Sequence, residues 1–538
     1  MRQGLRNPGC ANNPLIDLGF AGTLVADRPE KRRVSHFQWG EIFMTKQRFR
    51  SFASALALGA SLFATQTLAK SDITIAMQLE PPHLDPTSAA AQAIDSVVYT
   101  NIFEGLTRFM GDGSVVPGLA ESWEISDDGT VYTFKLRDGV TFHDGTTMDA
   151  EDVKFTLDRA TAEDSANAQK ALFSGIETVE VVDPLTVRVT LKEPNGNFLF
   201  NLAWGDAVIV APESIENIKT NPVGTGAFTF GDWVQGDSIT LNRNPDYWGD
   251  QPALETATFK FISDPTAAFA AMMAEDVDVF DNFPAPENLP QFEADPRFQV
   301  LVGSTEGETI LSTNNKQEPF DDILVRQALA HAIDRQAIID GAMFGYGTPI
   351  GTHFAPHNPA YVDLTGNSVY DPNKAKALLA EAGYPDGFET TLHLPPPSYA
   401  RRGGEIIAAQ LAEVGITAEI INVEWAQWLE SVFKGKDFGL TIVSHTEPMD
   451  IGIYARPDYY FQYDSTDFQA LMDTLNSTTD PEERDRLLGE AQNLISNDYV
   501  NGYLFQLAKL GVAKAGVQGL WENAPTAAID LTGISWDE

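Results

Sequence analysis

Hydrophobic positions in the chain recur with two periods, one typical of strands and one typical of helices. Asp72–Met77 is a short apolar run that predicts a strand, and Glu80-Pro81-Pro82 ends it. Apolar residues between Ile94 and Ile102 recur at helical spacing. From Ala120 to Gly145 apolar and polar residues alternate, and Asp-Gly dipeptides interrupt the pattern, so we expect several strands joined by tight turns.

Strands also dominate the region that follows. We expect one helix from Ala150 to about Arg159, because Asp149 is placed to cap its first turn. Two further strands are predicted at Thr178–Val182 and Thr186–Leu191. The first half of the chain should therefore be rich in sheet and contain few helices.

From about Phe320 the pattern changes to alternating helices and strands. Asp371-Pro372 combines a capping side chain with a proline at the first helical position, and Gly383 ends that helix. Asp480 begins a late helix, with Glu483 three residues after the cap. A β-α-β pattern in this half predicts a parallel or mixed sheet. Its parts are a helix near Glu405–Val414, a strand at Ile416–Val423, a helix near Ala426–Phe433 and a strand at Gly439–Ser444.

Residues 44–69 have the features of a cleaved export signal. Three basic residues are followed by the apolar run Phe52–Ala64, and Thr67–Ala69 offers small residues for cleavage before Lys70. The apolar run is too short to span a hydrocarbon core of about 30 Å. We expect translation to start at Met44 and residues 1–43 to be an artefact of start-site choice, with a genuine N-terminal extension as the alternative.

Composition narrows the class of protein. The chain has 538 residues, 43% of them hydrophobic, which predicts two to four domains with large cores. Acidic residues outnumber basic ones by 76 to 36, and a net charge of -40 makes binding to nucleic acid or to an anionic membrane surface unfavourable. Cys10 is the single cysteine, so we expect neither a disulfide framework nor a thiolate metal site. No cysteine follows the cleavage point, so we expect a free periplasmic protein rather than a lipid-anchored one.

The familiar catalytic motifs are missing from the sequence. It contains no His-Glu-x-x-His, no Gly-x-Ser-x-Gly, no phosphate-binding P-loop and no Gly-x-Gly-x-x-Gly. We therefore expect a protein that is not an enzyme and that carries no catalytic residues, no metal site and no cofactor. Two exported α/β lobes that differ in their content of helix and strand favour a hinged binding protein instead.

Three stretches resemble family 5 of the extracellular solute-binding proteins, the peptide- and nickel-binding components of ABC importers. The first stretch comprises GLAESW at 118–123, DGTVYTFKLR at 128–137, GVTFHDG at 139–145 and AEDVKFTL at 150–157. The second comprises PVGTGAF at 222–228 with NRNPDYW at 242–248, and the third comprises FDD at 320–322, VRQAL at 325–329 and AIDR at 332–335. We interpret most of these residues as structural, since Asp-Gly pairs make turns and glycines permit close backbone packing.

The resemblance implies an α/β fold of the two-lobed, Venus-flytrap type with mixed sheets. Lobe I would comprise residues 70–310 and 505–538, with an extra subdomain at about 106–206, and lobe II would comprise residues 311–504. The hinge would consist of two strands that cross near Thr309–Thr313 and Tyr503–Ala508. The solute would bind between the lobes.

The resemblance also implies where a peptide would bind. Peptide-binding relatives hold the main chain by backbone hydrogen bonds, and in dipeptide-binding relatives an aspartate a fixed distance after a Glu-Trp pair binds the ammonium. Glu424-Trp425 matches that pair, and the same interval leads to Glu447. The residues just before it are Ser444, His445 and Thr446, with Ser444 in place of an aromatic residue, and Asp450 is the alternative carboxylate.

The partner of the ligand carboxylate is less well defined. In the relatives an arginine precedes an Ala-Arg-Arg sequence, and here Ala400-Arg401-Arg402 is present but Tyr399 and the residues before it include no arginine. Arg401 or Arg402 could bind the carboxylate, or both could be structural ion-pair residues. Tyr399 is a further candidate ligand-binding residue. The candidate pocket aromatics, each with the hydrophobic core as the alternative, are Trp425, Tyr454, Tyr459 and Tyr460.

Three functions are compatible with these features of the sequence. The favoured one is a monomeric periplasmic receptor that delivers an oligopeptide or peptide-like solute to an ABC permease in the inner membrane. The second is the same fold with a non-peptide solute, such as a nickel chelate, an opine or an oligosaccharide, and His445 keeps nickel open. The third is an exported hydrolase, which would need a nucleophile or metal near a base in the cleft.

Overall fold

The computed structural model describes residues 70–88, 91–447 and 449–537, so the expected export signal and the segment before it lie outside the described residues. The strands are β1 Asp72–Met77, β2 Thr107–Phe109, β3 Val115–Pro117, β4 Ala120–Ile125, β5 Val131–Leu136, β6 Ile176–Asp183, β7 Thr186–Leu191, β8 Phe228–Val234, β9 Ser238–Arg243, β10 Thr256–Phe261, β11 Val279–Phe280, β12 Phe298–Thr313, β13 Thr348–Pro349, β14 Glu389–Leu394, β15 Thr417–Asn422, β16 Leu440–His445, β17 Asn501–Lys514, β18 Val517–Gln518 and β19 Ser535–Trp536. The α-helices are α1 Gln92–Val98, α2 Ala150–Thr161, α3 Phe198–Asn201, α4 Pro265–Met273, α5 Leu289–Glu293, α6 Ile323–Ala332, α7 Arg335–Met343, α8 Pro372–Glu381, α9 Ser398–Glu413, α10 Trp425–Trp428, α11 Thr466–Ser477 and α12 Pro481–Asn497.

The largest sheet is mixed, as the sequence predicts. Its strands lie in the order β15-β14-β16-β12-β17-β11-β1-β10-β9-β8, and β13 pairs with β17 outside this order. The pairs β14–β15, β14–β16, β1–β10 and β1–β11 are parallel. The expected β-α-β pattern is therefore confirmed, with β14 between the two strands that the sequence indicates.

The strands β12 and β17 are the centre of this sheet. They pair antiparallel over most of their length, and the register shifts between Ser304 and Glu308 and again between Thr309 and Ile310. Strands from residues 389–445 lie on one side of the pair, and strands from residues 72–280 lie on the other. Both expected crossing segments lie within these two strands, whereas the lobe boundaries themselves stay a prediction.

A separate four-stranded antiparallel sheet, in the order β4-β5-β7-β6, contains the first family-like stretch. Phe134 is fully buried in it, and Trp123 packs against the same core. The glycines of the three Asp-Gly pairs have φ between 69° and 87°, as tight turns require. Asp149 caps α2 by accepting from the backbone N–H of Glu151 at 2.8 Å, so the expected cap is confirmed.

The second family-like stretch packs directly against the backbone at Ile102. A Cβ atom on Gly224 would lie 2.0 Å from the carbonyl oxygen of Ile102, so no larger residue fits without moving that backbone. The neighbouring Gly226 donates its N–H to the same carbonyl at 2.9 Å. These glycines have the structural role that the sequence predicts.

Helix α9 begins seven residues earlier than expected. Gly403 and Gly404 disfavour helix in isolation, but tertiary packing requires small residues here, since a Cβ on Gly404 would lie 2.4 Å from the Leu394 side chain. The expected helix at 426–433 is four residues of α10 followed by a π-helical turn at Leu429–Lys434. The caps at Asp371 and Asp480 are confirmed.

Within the described ranges, no helix has the length and apolar character that crossing a membrane would need.

Candidate ligand-binding site

The candidate site forms where three strands of the large sheet lie side by side. Glu308 on β12 is directly opposite His445 on β16 and directly opposite Gln506 on β17. Directly opposed residues share one face of a sheet. This register therefore places a row of three buried polar side chains across the centre of the fold.

Asp450 joins two buried histidines. Nε2 of His353 donates to Oδ1 of Asp450 at 2.7 Å, and Nδ1 of His445 donates to Oδ2 at 3.2 Å. Burial favours the neutral carboxyl, but the hydrogen bonds from the two histidines, and the positive charge that these rings carry when protonated, outweigh it and hold the pKa of Asp450 well below its usual range. Burial lowers the pKa of His353, and Asp450 opposes that shift.

Two tyrosines complete the hydrogen bonding of these histidines. Since the other nitrogens face Asp450, Nδ1 of His353 and Nε2 of His445 are left to accept. Tyr454 donates to the first and Tyr460 to the second, each at 3.2 Å. Tyr454 and Tyr460 are almost fully buried, so they support the histidines from within the core.

The loop after β16 carries Glu447, whose carboxylate is more exposed than that of Asp450. Thr446 and Glu447 are exposed, and the backbone N–H of Thr446 donates to Oε2 of Glu447 at 3.3 Å. Both carboxylate oxygens of Asp450 are already engaged by histidines. Of the two carboxylates that the sequence proposes for a ligand ammonium, Glu447 is therefore the one that has room for a new partner.

Ser444 and Tyr399 lie against each other. The backbone N–H of Ser444 donates to Oη of Tyr399 at 3.2 Å, and Oγ of Ser444 accepts from Thr309 at 3.3 Å. This contact connects the start of α9 with the end of β16 and the expected crossing strand. The structure thus brings Tyr399 next to the loop that carries Glu447.

The two arginines of the Ala-Arg-Arg sequence have different surroundings. Arg401 pairs with Glu424 at 3.1 Å, beside Trp425, whereas the Arg402 guanidinium lies 5.3 Å from the centre of the Phe344 ring. Trp425 is 40% exposed and packs edge-on against Trp428 at 5.7 Å. Arg401 and Trp425 therefore share one part of the surface, and Arg402 faces a different helix end.

Sequence reasoning missed five polar residues of this region. Glu306 and Glu308 come from β12, Gln506 comes from β17, and His353 and His357 come from the turns between β13 and α8. Nε2 of His357 donates to Oε1 of Glu306 at 2.6 Å. The available signal was two acidic residues in alternate positions just before an expected crossing strand, where a purely structural strand would carry apolar residues.

Comparison with known proteins places this geometry in a family. Residues 114–469 match the family described as bacterial extracellular solute-binding proteins, family 5 Middle. The chain belongs to that family. Its members are periplasmic or extracellular solute-binding proteins.

Relatives and solved structures extend this likeness to most of the chain. The glutathione-binding protein GsiB of Salmonella paratyphi A is 33% identical over 475 residues, covering 84% of this chain and 92% of the relative. The structure of HbpA2 from Haemophilus parasuis has a TM-score of 0.80 and 27% identity, covering 87% of this chain and 100% of the other. The periplasmic binding protein DppA from Helicobacter pylori, in complex with the peptide STSA, has a TM-score of 0.69 and 25% identity, covering 87% and 99%. The fold is that of the two-lobed periplasmic binding proteins, as expected.

Proposed function

We propose that this protein captures a peptide-like solute in the periplasm and delivers it unchanged to an ABC permease in the inner membrane. The observation that carries the proposal is the 33% identity, over 84% of the chain, with a glutathione-binding protein. Glutathione is a tripeptide with a free ammonium, and the candidate site offers carboxylates to such a group.

The proposed mechanism uses the two central strands. A solute that contacts residues on both sides of β12 and β17 stabilises a closed form, and the permease recognises that form. The free energy of closure comes from contacts that exist only in the closed state. We further propose that the protein acts as a monomer after cleavage of the export signal at residues 44–69, binds no nucleic acid and performs no catalysis.

Glu447 provides the direct test of this proposal. We expect Glu447→Gln to weaken binding of trialanine or glutathione about tenfold, or about 1.4 kcal/mol, because an amide cannot balance the ligand ammonium. Calorimetric titration of the purified protein, freed of bound solute by unfolding and refolding, measures the effect.

The matched control is Glu381→Gln, which removes the same charge from the exposed end of α8 and should leave the affinity unchanged. N-acetyltrialanine should bind both variants and the parent protein equally. Equal affinity of Glu447→Gln and the parent for trialanine would show that the ammonium binds elsewhere, and lack of any peptide binding would defeat the proposed function.

A nickel chelate is the second candidate solute. His353, His445 and Asp450 each offer one ligand atom, and these three atoms lie within 4.8 Å of one another. Imidazole and carboxylate donors suit Ni²⁺. The same atoms already satisfy one another by hydrogen bonds, which is why the peptide remains the favoured solute.

Titration with Ni²⁺, alone and with free histidine, separates the two candidates. If the solute is a nickel chelate, the parent protein binds it at micromolar or lower concentration and His445→Ala loses at least tenfold in affinity, with His83→Ala, outside the cluster, as the control. Under the peptide proposal the titration shows no specific uptake of nickel.

A further inference from the structure

Two acidic side chains of β12 face one cavity in the candidate site. Glu306 and Glu308 both line it, in the part of β12 where the register against β17 shifts. The enclosed space is smaller than a water molecule, so a solute atom enters it only when the lining side chains move apart. Its lining includes Glu306, Glu308, His353, Phe354, Asn358 and Asp450.

Glu308 differs from the other acidic residues of this cavity because it lacks a partner. Glu306 is bound to His357 and Asp450 is bound to two histidines. Glu308 is 3% exposed, and its Oε2 atom has no hydrogen-bond partner among the described residues. A buried acceptor without a donor costs free energy that a bound donor would recover.

The negative charges around Glu308 favour a cationic donor over a neutral one. Burial raises the pKa of the Glu308 carboxyl well above its usual range, and the negative charges of Asp450, Glu306 and Glu447 raise it further. Each of these influences disfavours the ionised carboxylate, and a cation against Oε2 would counteract all of them. A neutral donor would supply the hydrogen bond but leave the repulsion between carboxylates.

Gln506 supplies a second open acceptor next to Glu308. It lies directly opposite Glu308 across the β12–β17 pair and is fully buried. Its Nε2 donates to the Thr305 carbonyl, while its Oε1 has no partner in the described part of the chain. A primary ammonium carries three N–H donors on one charge, so Gln506 is a candidate for the second acceptor.

From this arrangement we infer that Glu308 is an anchor for a cationic nitrogen of the solute, with Gln506 as a second acceptor. The inference rests on the proposed function and deepens it, because it restricts the solute to peptides or peptide-like molecules that carry a free amine or a comparable basic group. Glu447, on the exposed loop, accepts from the same group, since one carboxylate does not satisfy three donors.

The test measures binding of trialanine and N-acetyltrialanine to Glu308→Gln. We expect the affinity for trialanine to fall about 10- to 100-fold, the range for a lost hydrogen bond to a charged group. The affinity for N-acetyltrialanine should change less than twofold, because that peptide has no ammonium. Glu419→Gln, which removes the same charge from an exposed position on β15, is the matched control and should bind both peptides as the parent does.

The variant is expected to fold, since glutamine keeps the shape of the side chain and is neutral, like the protonated carboxyl that the raised pKa of Glu308 favours. If Glu308→Gln and the parent bind trialanine equally, Glu308 is not the anchor, although the proposed function stands. Mass spectrometry of the solute that co-purifies with the parent is the second measurement. A solute without a basic nitrogen overturns the inference, and a non-peptide amine whose binding depends on Glu308 supports it while defeating the peptide proposal.

Discussion

Replacement of Glu104 by alanine is expected to lower the free energy of unfolding by about 3–5 kcal/mol. The Glu104 carboxylate is 5% exposed and accepts three hydrogen bonds, from Thr225 Oγ1 at 2.8 Å, Tyr247 Oη at 2.9 Å and Trp248 Nε1 at 2.8 Å. Alanine leaves these donors unpaired in the interior and adds a cavity. Urea denaturation at neutral pH measures the loss.

Glu104→Gln is the matched control. It keeps the volume and one acceptor oxygen, so we expect it to lose about 1–2 kcal/mol. A loss of this size would also explain the structural role of two family-like segments. Thr225 belongs to the segment at 222–228, and Tyr247 and Trp248 belong to the segment at 242–248. A loss below about 1 kcal/mol for the alanine variant would show that the network contributes little to stability.

The stability that Asp95 and Asp206 contribute is expected to fall as the pH rises from about 4 to about 8. Burial raises the pKa of Asp95 to about 8, with the charge of Asp206 adding to the shift, and burial raises the pKa of Asp206 to about 7. In the unfolded chain both groups titrate near pH 3.8. These two carboxyls therefore bind more protons in the folded chain between these values, so their contribution to stability is fully present below about pH 4 and is lost as the pH rises through about 7 to 8.

Each carboxyl contributes about 1.4 kcal/mol for every pH unit over which it is protonated only in the folded chain, so we expect a loss of several kcal/mol between pH 5 and pH 8. Denaturation curves at pH 5, 6, 7 and 8 measure it. Asp95→Asn removes one titrating group and the repulsion that it exerts, so it should be more stable than the parent at pH 8 and depend less on pH. Asp127→Asn, at an exposed position, should follow the parent, and an equal pH dependence in all three proteins would contradict the prediction.

Local interactions were readable from the sequence because they depend on neighbouring residues. Asp149, Asp371 and Asp480 cap helices within three residues of themselves, and the bounds of β1 and β7 agree with the apolar runs that predict them. Asp-Gly turns depend on backbone preferences of the same short range. Helix α9 shows the limit, since Gly403 and Gly404 disfavour helix locally, yet the helix includes both, and Leu394 packs closely on Gly404.

The central strands show a second limit of sequence reasoning. The expected crossings cover 5 or 6 residues each, whereas β12 has 16 residues and β17 has 14. Polar residues such as Glu308 and Gln506 do not fit an apolar strand pattern, and their burial depends on strands far away in the chain. The register shifts in this pair add irregularity that a period-two pattern does not reveal.

The sequence by itself determined the family, the mixed α/β class and the segment Ser444–Glu447, because these follow from motifs and short-range spacing. Only the tertiary structure decided what surrounds that segment. His353, about 90 residues away from His445 in the chain, meets it through Asp450. Glu308 is further still from His445, and the register of β12 against β16 places the two residues opposite each other. Pairing between distant strands is set by the packing of the whole chain, and no local pattern encodes it.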